Sequence, residues 1–404
     1  MSEILFINML GDGHVNPTLG LVKELIKRGE QVTYLAGEEF REKIEKTGAK
    51  FRGYKTSLNI NSLANINHRS ENIQFLLDLR MESFKEIARA VFNEKEKFNC
   101  IIYDSAFMLG EKIGKVFNIP TVCSITTFAT NSNIKINKIS SHELELFMRN
   151  SNYMNIIKEI EEDYPIKFPN ISNMFKVKGM INIVYTSRYF QPNVEEFDES
   201  YKFIGPSIID RKENISFPFE KLQNKKVIYI AWGSIFNNCV EFYRNCFTAF
   251  EDMDVQVVMS IGSKLDIHVF KYIPKNFIVR NYIPQLEVLK YSDVFITHGG
   301  MNSTNECLYY NIPLILIPQS VDQPLVASRV ANLGAGIIIE KDKVTSELLK
   351  ESVIKVLSDK NFKLNSEKIG ESLREAGGYK KCVDEIFKLL DSQKFMKHRI
   401  IHHE

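Results

Sequence analysis

The chain has 404 residues, 44% hydrophobic and 25% charged, the make-up of a soluble globular protein. That length exceeds one ordinary core, so two domains are expected. Its 52 basic and 50 acidic residues leave a net charge of only +2 with no concentrated basic face, which argues against a nucleic-acid partner.

Residues 1–7 lack a basic leader and read as a first strand, not a signal peptide. Uninterrupted apolar runs stay near seven residues, as at 312–318, far short of a membrane span. A cytoplasmic protein with no membrane partner is expected. In the first half, apolar runs at 4–9, 31–36, 100–103, 121–125 and 181–186 alternate with helical stretches, the pattern of parallel α/β domains. Asn16, Pro17 and Gly29 bracket the first helix as cap, first-turn proline and terminal glycine. Leu21, Val22, Leu25 and Ile26 form its apolar face.

Between that strand and helix lies Gly11-Asp12-Gly13-His14-Val15-Asn16-Pro17. A dinucleotide fingerprint needs a third glycine where Asn16 stands, so a dehydrogenase is disfavoured. The turn instead presents His14 at the carboxyl end of the sheet, where ligands bind in open α/β folds. Imidazole is the usual general base for a hydroxyl, and a merely structural turn histidine is the alternative. Asp104, at the exit of Ile101-Ile102-Tyr103, can reach it and fix its tautomer, or can simply cap the following turn. The polar segments 59–67 and 126–141 read as long loops on the strand-exit face, lining an acceptor pocket.

Breakers and charges from Gly205-Pro206 to Pro218-Phe219 mark the join. The expected divisions are a first domain at 1–205, a linker at 206–224, a second domain at 225–378, and a helix and tail at 379–404. The second half repeats the plan, with strands at 227–232, 255–261, 277–279, 294–297, 314–317 and 336–339. Asp252-Met253-Asp254 falls at a strand start and reads as a solvated turn, not a metal pair. The six cysteines show no C-x-x-C pair and read as reduced thiols. The helical stretch 380–390 is expected to pack back on the first domain, and His398, His402 and His403 belong to a solvated end.

The most informative run is Thr297-His298-Gly299-Gly300-Met301-Asn302-Ser303-Thr304-Asn305-Glu306, followed by Asp322-Gln323. A strand, a glycine turn and a helix N-terminus make an anion site, because free N–H groups and the helix dipole point at incoming negative charge. His298 can donate to a phosphate oxygen, and Glu306 can accept from two vicinal hydroxyls. Diphosphate, ribose and sugar together describe a nucleotide sugar. The alternatives are a capping box of Ser303 with Glu306, and Asp322 as the cap of a helix beginning near Pro324.

With both constellations in view, the chain resembles the bacterial macrolide-type UDP-glycosyltransferases of glycosyltransferase family 1. The likeness is carried by residues 13–17, 101–104, Gly233-Ser234, 283–289 and the block from His298 to Gln323. It implies a GT-B fold, two Rossmann-like domains facing a cleft with acceptor on the first and UDP-sugar on the second. By that likeness His14 is the catalytic base and Asp104 its partner. Tyr282 and Gln285 hold the uracil, and Glu306 the ribose hydroxyls. Ser234, His298, Gly299, Gly300, Asn302 and Ser303 surround the diphosphate, and Asp322 and Gln323 bind the transferred sugar. The resemblance further implies inversion at the anomeric centre with no metal and no cofactor beyond the UDP-sugar co-substrate. His298 and a helix N-terminus then neutralise the leaving diphosphate. Tyr282 stands where the plant branch often has tryptophan, and Leu10 where many relatives have proline.

Glucose is the expected sugar, and the expected acceptor is a hydrophobic hydroxylated small molecule such as a macrolide, flavonoid or other phenol. A non-catalytic UDP-sugar sensor and a sugar-nucleotide epimerase are the alternatives; a sensor has little use for His14 and Asp104, and an epimerase needs no acceptor. A lipid-acceptor transferase would need an apolar-basic membrane patch, which the sequence lacks. The natural acceptor, the regiochemistry and the oligomeric state stay open.

Overall fold

The structure, a computed structural model, describes residues 1–9, 11–56, 69–131, 150–169, 177–209, 215–233, 238–319 and 322–401. Leu10, Ser234, the 59–67 loop, most of the 126–141 loop, His402 and His403 lie outside the described residues. Two compact units are present: residues 1–208 with 376–404, and residues 209–375.

The first unit carries a parallel sheet of β1 (Glu3–Ile7), β2 (Gln31–Gly37), β3 (Lys50–Tyr54), β4 (Cys100–Asp104), β5 (Thr121–Ile125), β6 (Ile181–Val184) and β7 (Tyr201–Phe203). Their order is β3-β2-β1-β4-β5-β6-β7. Strands β4 and β5 are buried at every residue, as parallel strands covered on both faces must be, Thr121, Ser124 and Asp104 being their buried polar positions. The two strands not expected, β3 and β7, are the sheet edges. Lys50, Arg52 and Lys202 interrupt their apolar pattern, the usual protection of an edge.

The second unit carries β8 (Lys226–Ala231), β9 (Val255–Ser260), β10 (Phe277–Arg280), β11 (Val294–Thr297), β12 (Leu314–Leu316) and β13 (Gly336–Ile338). All are parallel, in the order β10-β9-β8-β11-β12-β13. That is the Rossmann order. In each sheet the order reverses beside its first strand, between β1 and β4 and between β8 and β11. Open α/β sheets bind ligands at the carboxyl ends of the strands flanking such a switch. Residues 215–222 pack within this unit: Leu222 is buried, and the Phe219 ring lies 5.7 Å from that of Tyr291.

The first helix starts earlier than the sequence suggests. Gly11, at φ +128° and four residues past the end of β1, leads into a helix at Asp12–Val15, then a 3-10 turn at Asn16–Thr18 and a helix at Leu19–Lys27. Only glycine takes that φ without strain, so the helix starts at the residue that follows it. Asn16 consequently has helical dihedrals of −56° and −41° and does not act as a helix N-cap. His14 is therefore a helical residue, not a turn residue.

The terminal helix, Gly378–Ile401, packs on the first unit. Cys382, Val383, Ile386, Leu389 and Leu390 join Leu21, Val22 and Leu25 in its core. Arg28 reaches Asp384 of this helix at 2.5 Å. None of the six cysteines is disulfide-bonded, and five are buried. Among the described residues no helix is long and apolar enough to cross a membrane.

Candidate active site

At the first switch point, the Asp12–Val15 helix points His14 toward the end of β4. Its Nδ1 lies 2.6 Å from Asp104 Oδ2, and Thr126 Oγ1, just past β5, is 3.4 Å from the same nitrogen. A carboxylate only accepts, so this bond puts the ring hydrogen on Nδ1 and leaves Nε2 with its lone pair. Asp104 is 1% exposed, whereas the His14 side chain is 37% exposed. The carboxylate is thus buried behind an imidazole that meets solvent. The capping role of Asp104 is also present: its Oδ1 accepts from Ala106 N–H at 2.8 Å. Each oxygen serves one function, and a long contact from Met9 N–H at 3.4 Å adds to Oδ2.

At the second switch point, β8 runs into Gly233 at φ +76° and β11 into His298 and Gly299 at φ +82°. A helix follows at Met301–Tyr309, with Gly300 in the cap position and no side-chain cap bond. Ser303 is therefore the third residue of the helix, and the capping box with Glu306 is not formed. First-turn N–H groups of a helix have no carbonyl partner in their own helix and point outward along its axis, the geometry that suits an anion. Asn302 and Ser303 are half-buried in that turn. Ser234, expected beside Gly233, lies outside the described residues.

His298 is wedged between the two glycine turns. A Cβ on Gly233 would sit 2.6 Å from its Cε1, and one on Gly300 would sit 2.6 Å from its Nε2. This packing strips water from the ring and pulls its pKa down to about 4. A lowered pKa favours the neutral imidazole, so His298 meets an anion as a hydrogen-bond donor and not as a cation. Thr297 Oγ1 lies 3.2 Å from Nδ1. With that hydroxyl donating, Nε2 carries the hydrogen and acts as a neutral donor.

One turn further along, Glu306 is 7% exposed and accepts from Gln285 Nε2 at 2.5 Å. Gln285 Oε1 in turn accepts from the Tyr229 hydroxyl at 3.2 Å. The structure thus brings together two residues 21 positions apart, and adds a third that the sequence did not single out. Tyr229 lies in the apolar run of β8, stacked on Phe295 at 4.9 Å, and only its need for a buried hydroxyl partner distinguishes it. Tyr282, three residues before Gln285, is 56% exposed. Asp322 occupies the cap position of the helix Gln323–Asn332, but its carboxylate makes no cap bond to that helix. Gln323 is buried, and its Oε1 accepts from Gln319 N–H at 2.8 Å. Asp252 and Asp254 precede β9, at the amino end of the sheet and away from these groups. Among the described residues no three His, Cys, Asp or Glu side chains are arranged to hold a metal ion.

Comparison with known proteins gives a consistent result. Residues 244–385 match the family described as Erythromycin biosynthesis protein CIII-like, C-terminal domain. Over 392 residues the chain is 37% identical to YojK of Bacillus subtilis, named an uncharacterized UDP-glucosyltransferase, covering 96% of this chain and 97% of that one. It is 34% identical to the NDP-glycosyltransferase YjiC of the same organism, over 95% and 96% of the two chains. Among solved structures it is similar to CalG4, the calicheamicin glycosyltransferase, with a TM-score of 0.82, 26% identity and 97% and 98% coverage.

Proposed function

Because the chain belongs to the macrolide-type UDP-glycosyltransferases of glycosyltransferase family 1, we propose that it transfers glucose from UDP-glucose to a hydroxyl of a hydrophobic small molecule. The acceptor class is a macrolide, flavonoid or other phenol, the reaction inverts the anomeric centre, and no metal ion takes part. This reading places the enzyme in the cytoplasm.

The observation that carries the proposal is the 2.6 Å contact between His14 Nδ1 and buried Asp104. Asp104 holds the ring hydrogen on Nδ1 and stabilises the imidazolium formed when Nε2 takes a proton. Nε2 removes the acceptor's hydroxyl proton as its oxygen attacks the anomeric carbon, opposite the departing diphosphate. Glu306 and Gln285 receive the ribose and uracil, with Tyr282 stacking on the base. The Met301–Tyr309 helix N-terminus and the His298 donor meet charge growing on the diphosphate oxygens, work that a divalent cation does elsewhere. Asp322 and Gln323 orient the sugar. A protein that only sequestered UDP-sugar would have no use for a base held by a buried carboxylate.

The test is to incubate the protein with UDP-glucose, a chelator and a panel of phenols and macrolides, and to follow products by mass spectrometry. An acceptor gaining one hexose as UDP appears is the expected result. Binding of UDP with no transfer from any UDP-sugar would favour the sensor, and transfer abolished by chelation would remove metal independence.

A further inference from the structure

Behind His14 lies a buried polar network that the proton transfer itself does not use. Asn8, one residue past β1 and 1% exposed, donates from Nδ2 to the His14 carbonyl at 3.0 Å and to the Tyr34 hydroxyl at 2.6 Å. Its Oδ1 accepts from Met9 N–H at 2.9 Å, the same N–H that makes the 3.4 Å contact with Asp104 Oδ2. The Tyr34 hydroxyl lies 2.6 Å from Thr18 Oγ1, which donates to the Val15 carbonyl at 2.8 Å. The donors run in one direction: Asn8 to Tyr34, Tyr34 to Thr18, Thr18 to Val15. Tyr54 adds a hydroxyl bond to the Asn8 carbonyl at 3.0 Å.

The helix that carries His14 has only four residues. It runs into the 3-10 turn Asn16–Thr18, and a single turn gains little stability from its own hydrogen bonds. Here the His14 and Val15 carbonyls are taken by the side chains of Asn8 and Thr18. Asn8 also touches both halves of the pair, His14 through its carbonyl and Asp104 through the shared Met9 N–H.

We propose that Asn8, with Tyr34 and Thr18, is a positioning residue for the reaction: it holds the short helix so that the His14 imidazole meets Asp104. The inference rests on the reading of His14 as the base. A displacement of about 1 Å in a reacting group can cost about 10²-fold in rate. Loss of this network therefore acts on proton removal and leaves the nucleotide contacts untouched.

The experiment compares Asn8→Ala, Thr18→Val and His14→Ala with the wild-type enzyme. Each is assayed with UDP-glucose on an aliphatic alcohol and on 4-nitrophenol, whose proton needs less help. For Asn8→Ala and Thr18→Val, kcat on the alcohol should fall roughly 10- to 100-fold. The loss on 4-nitrophenol should be smaller and KM for UDP-glucose unchanged. Thr18→Val preserves side-chain shape and decides the matter if Asn8→Ala does not fold. Unchanged kcat, or an equal loss on both acceptors accompanied by a lowered Tm, would overturn the positioning role. His14→Ala separates the two ideas: if it too keeps its rate, the base assignment has failed. If it collapses while the network variants do not, only this inference has failed.

Discussion

At the scale of single residues, two histidines sit in opposite surroundings. His14 is backed by a buried carboxylate and open to solvent. His14→Ala should lower kcat on an alcohol acceptor by about 10²–10⁴-fold, the usual worth of positioned base catalysis, and by less on an acidic phenol. Asp104→Asn should cost less than removal of His14, since it spoils the tautomer and not the base itself; steady-state rates on one alcohol check both. His298 is pressed between glycines and titrates near 4 in the folded chain against 6.5 unperturbed. A depressed histidine pKa means the unfolded chain binds the proton more readily. Its stabilising contribution is therefore complete above about 6.5 and is lost as pH falls from there through about 4. Thermal melts across that window should show a shallower acid loss in His298→Gln than in the parent; an identical profile would contradict the burial argument. Gly300→Ala should weaken UDP binding, measured by calorimetry, because its Cβ would displace the donor nitrogen of His298.

At the scale of elements, the two switch points explain why residues distant in sequence converge. All six strands of the second sheet are legible as apolar runs; the inner four, β8, β9, β11 and β12, are buried along nearly their whole length. The two edges of the first sheet are not legible that way, since Lys50, Arg52 and Lys202 break their periodicity. The start of the first helix was misplaced at Asn16 because a cap-and-proline pattern is local, whereas the actual start is set by the φ of Gly11. The residues of the candidate site were legible by their place: Asp104 at the end of a strand, His14 and His298 soon after one, and Glu306 in the helix that follows. The Tyr229–Gln285–Glu306 chain was not, because pairing across β8 and the helix that follows β11 depends on rotamers that no spacing encodes. The terminal helix docks through fully buried Ile386. Ile386→Ala should destabilise the first unit by about 2–5 kcal/mol, as large-to-small core changes do, in a denaturant melt.

At the scale of the whole molecule, the chain divides its chemistry between two units, each with one sheet and one switch point. His14 and buried Asp104 belong to the first, and His298, Gln285 and Glu306, the groups proposed to meet the nucleotide sugar, to the second. This division predicts that acceptor chemistry and donor binding fail separately. Glu306→Ala should weaken UDP binding and leave the His14–Asp104 pair intact, while His14→Ala should do the reverse. The most direct measurement therefore takes His14→Ala and wild-type protein side by side. Hexose transfer from UDP-glucose to an aliphatic alcohol is followed in the presence of chelator, and UDP affinity is measured on the same samples. Unchanged UDP affinity with transfer reduced at least about a hundredfold is the predicted result. Transfer by His14→Ala at the wild-type rate would contradict it.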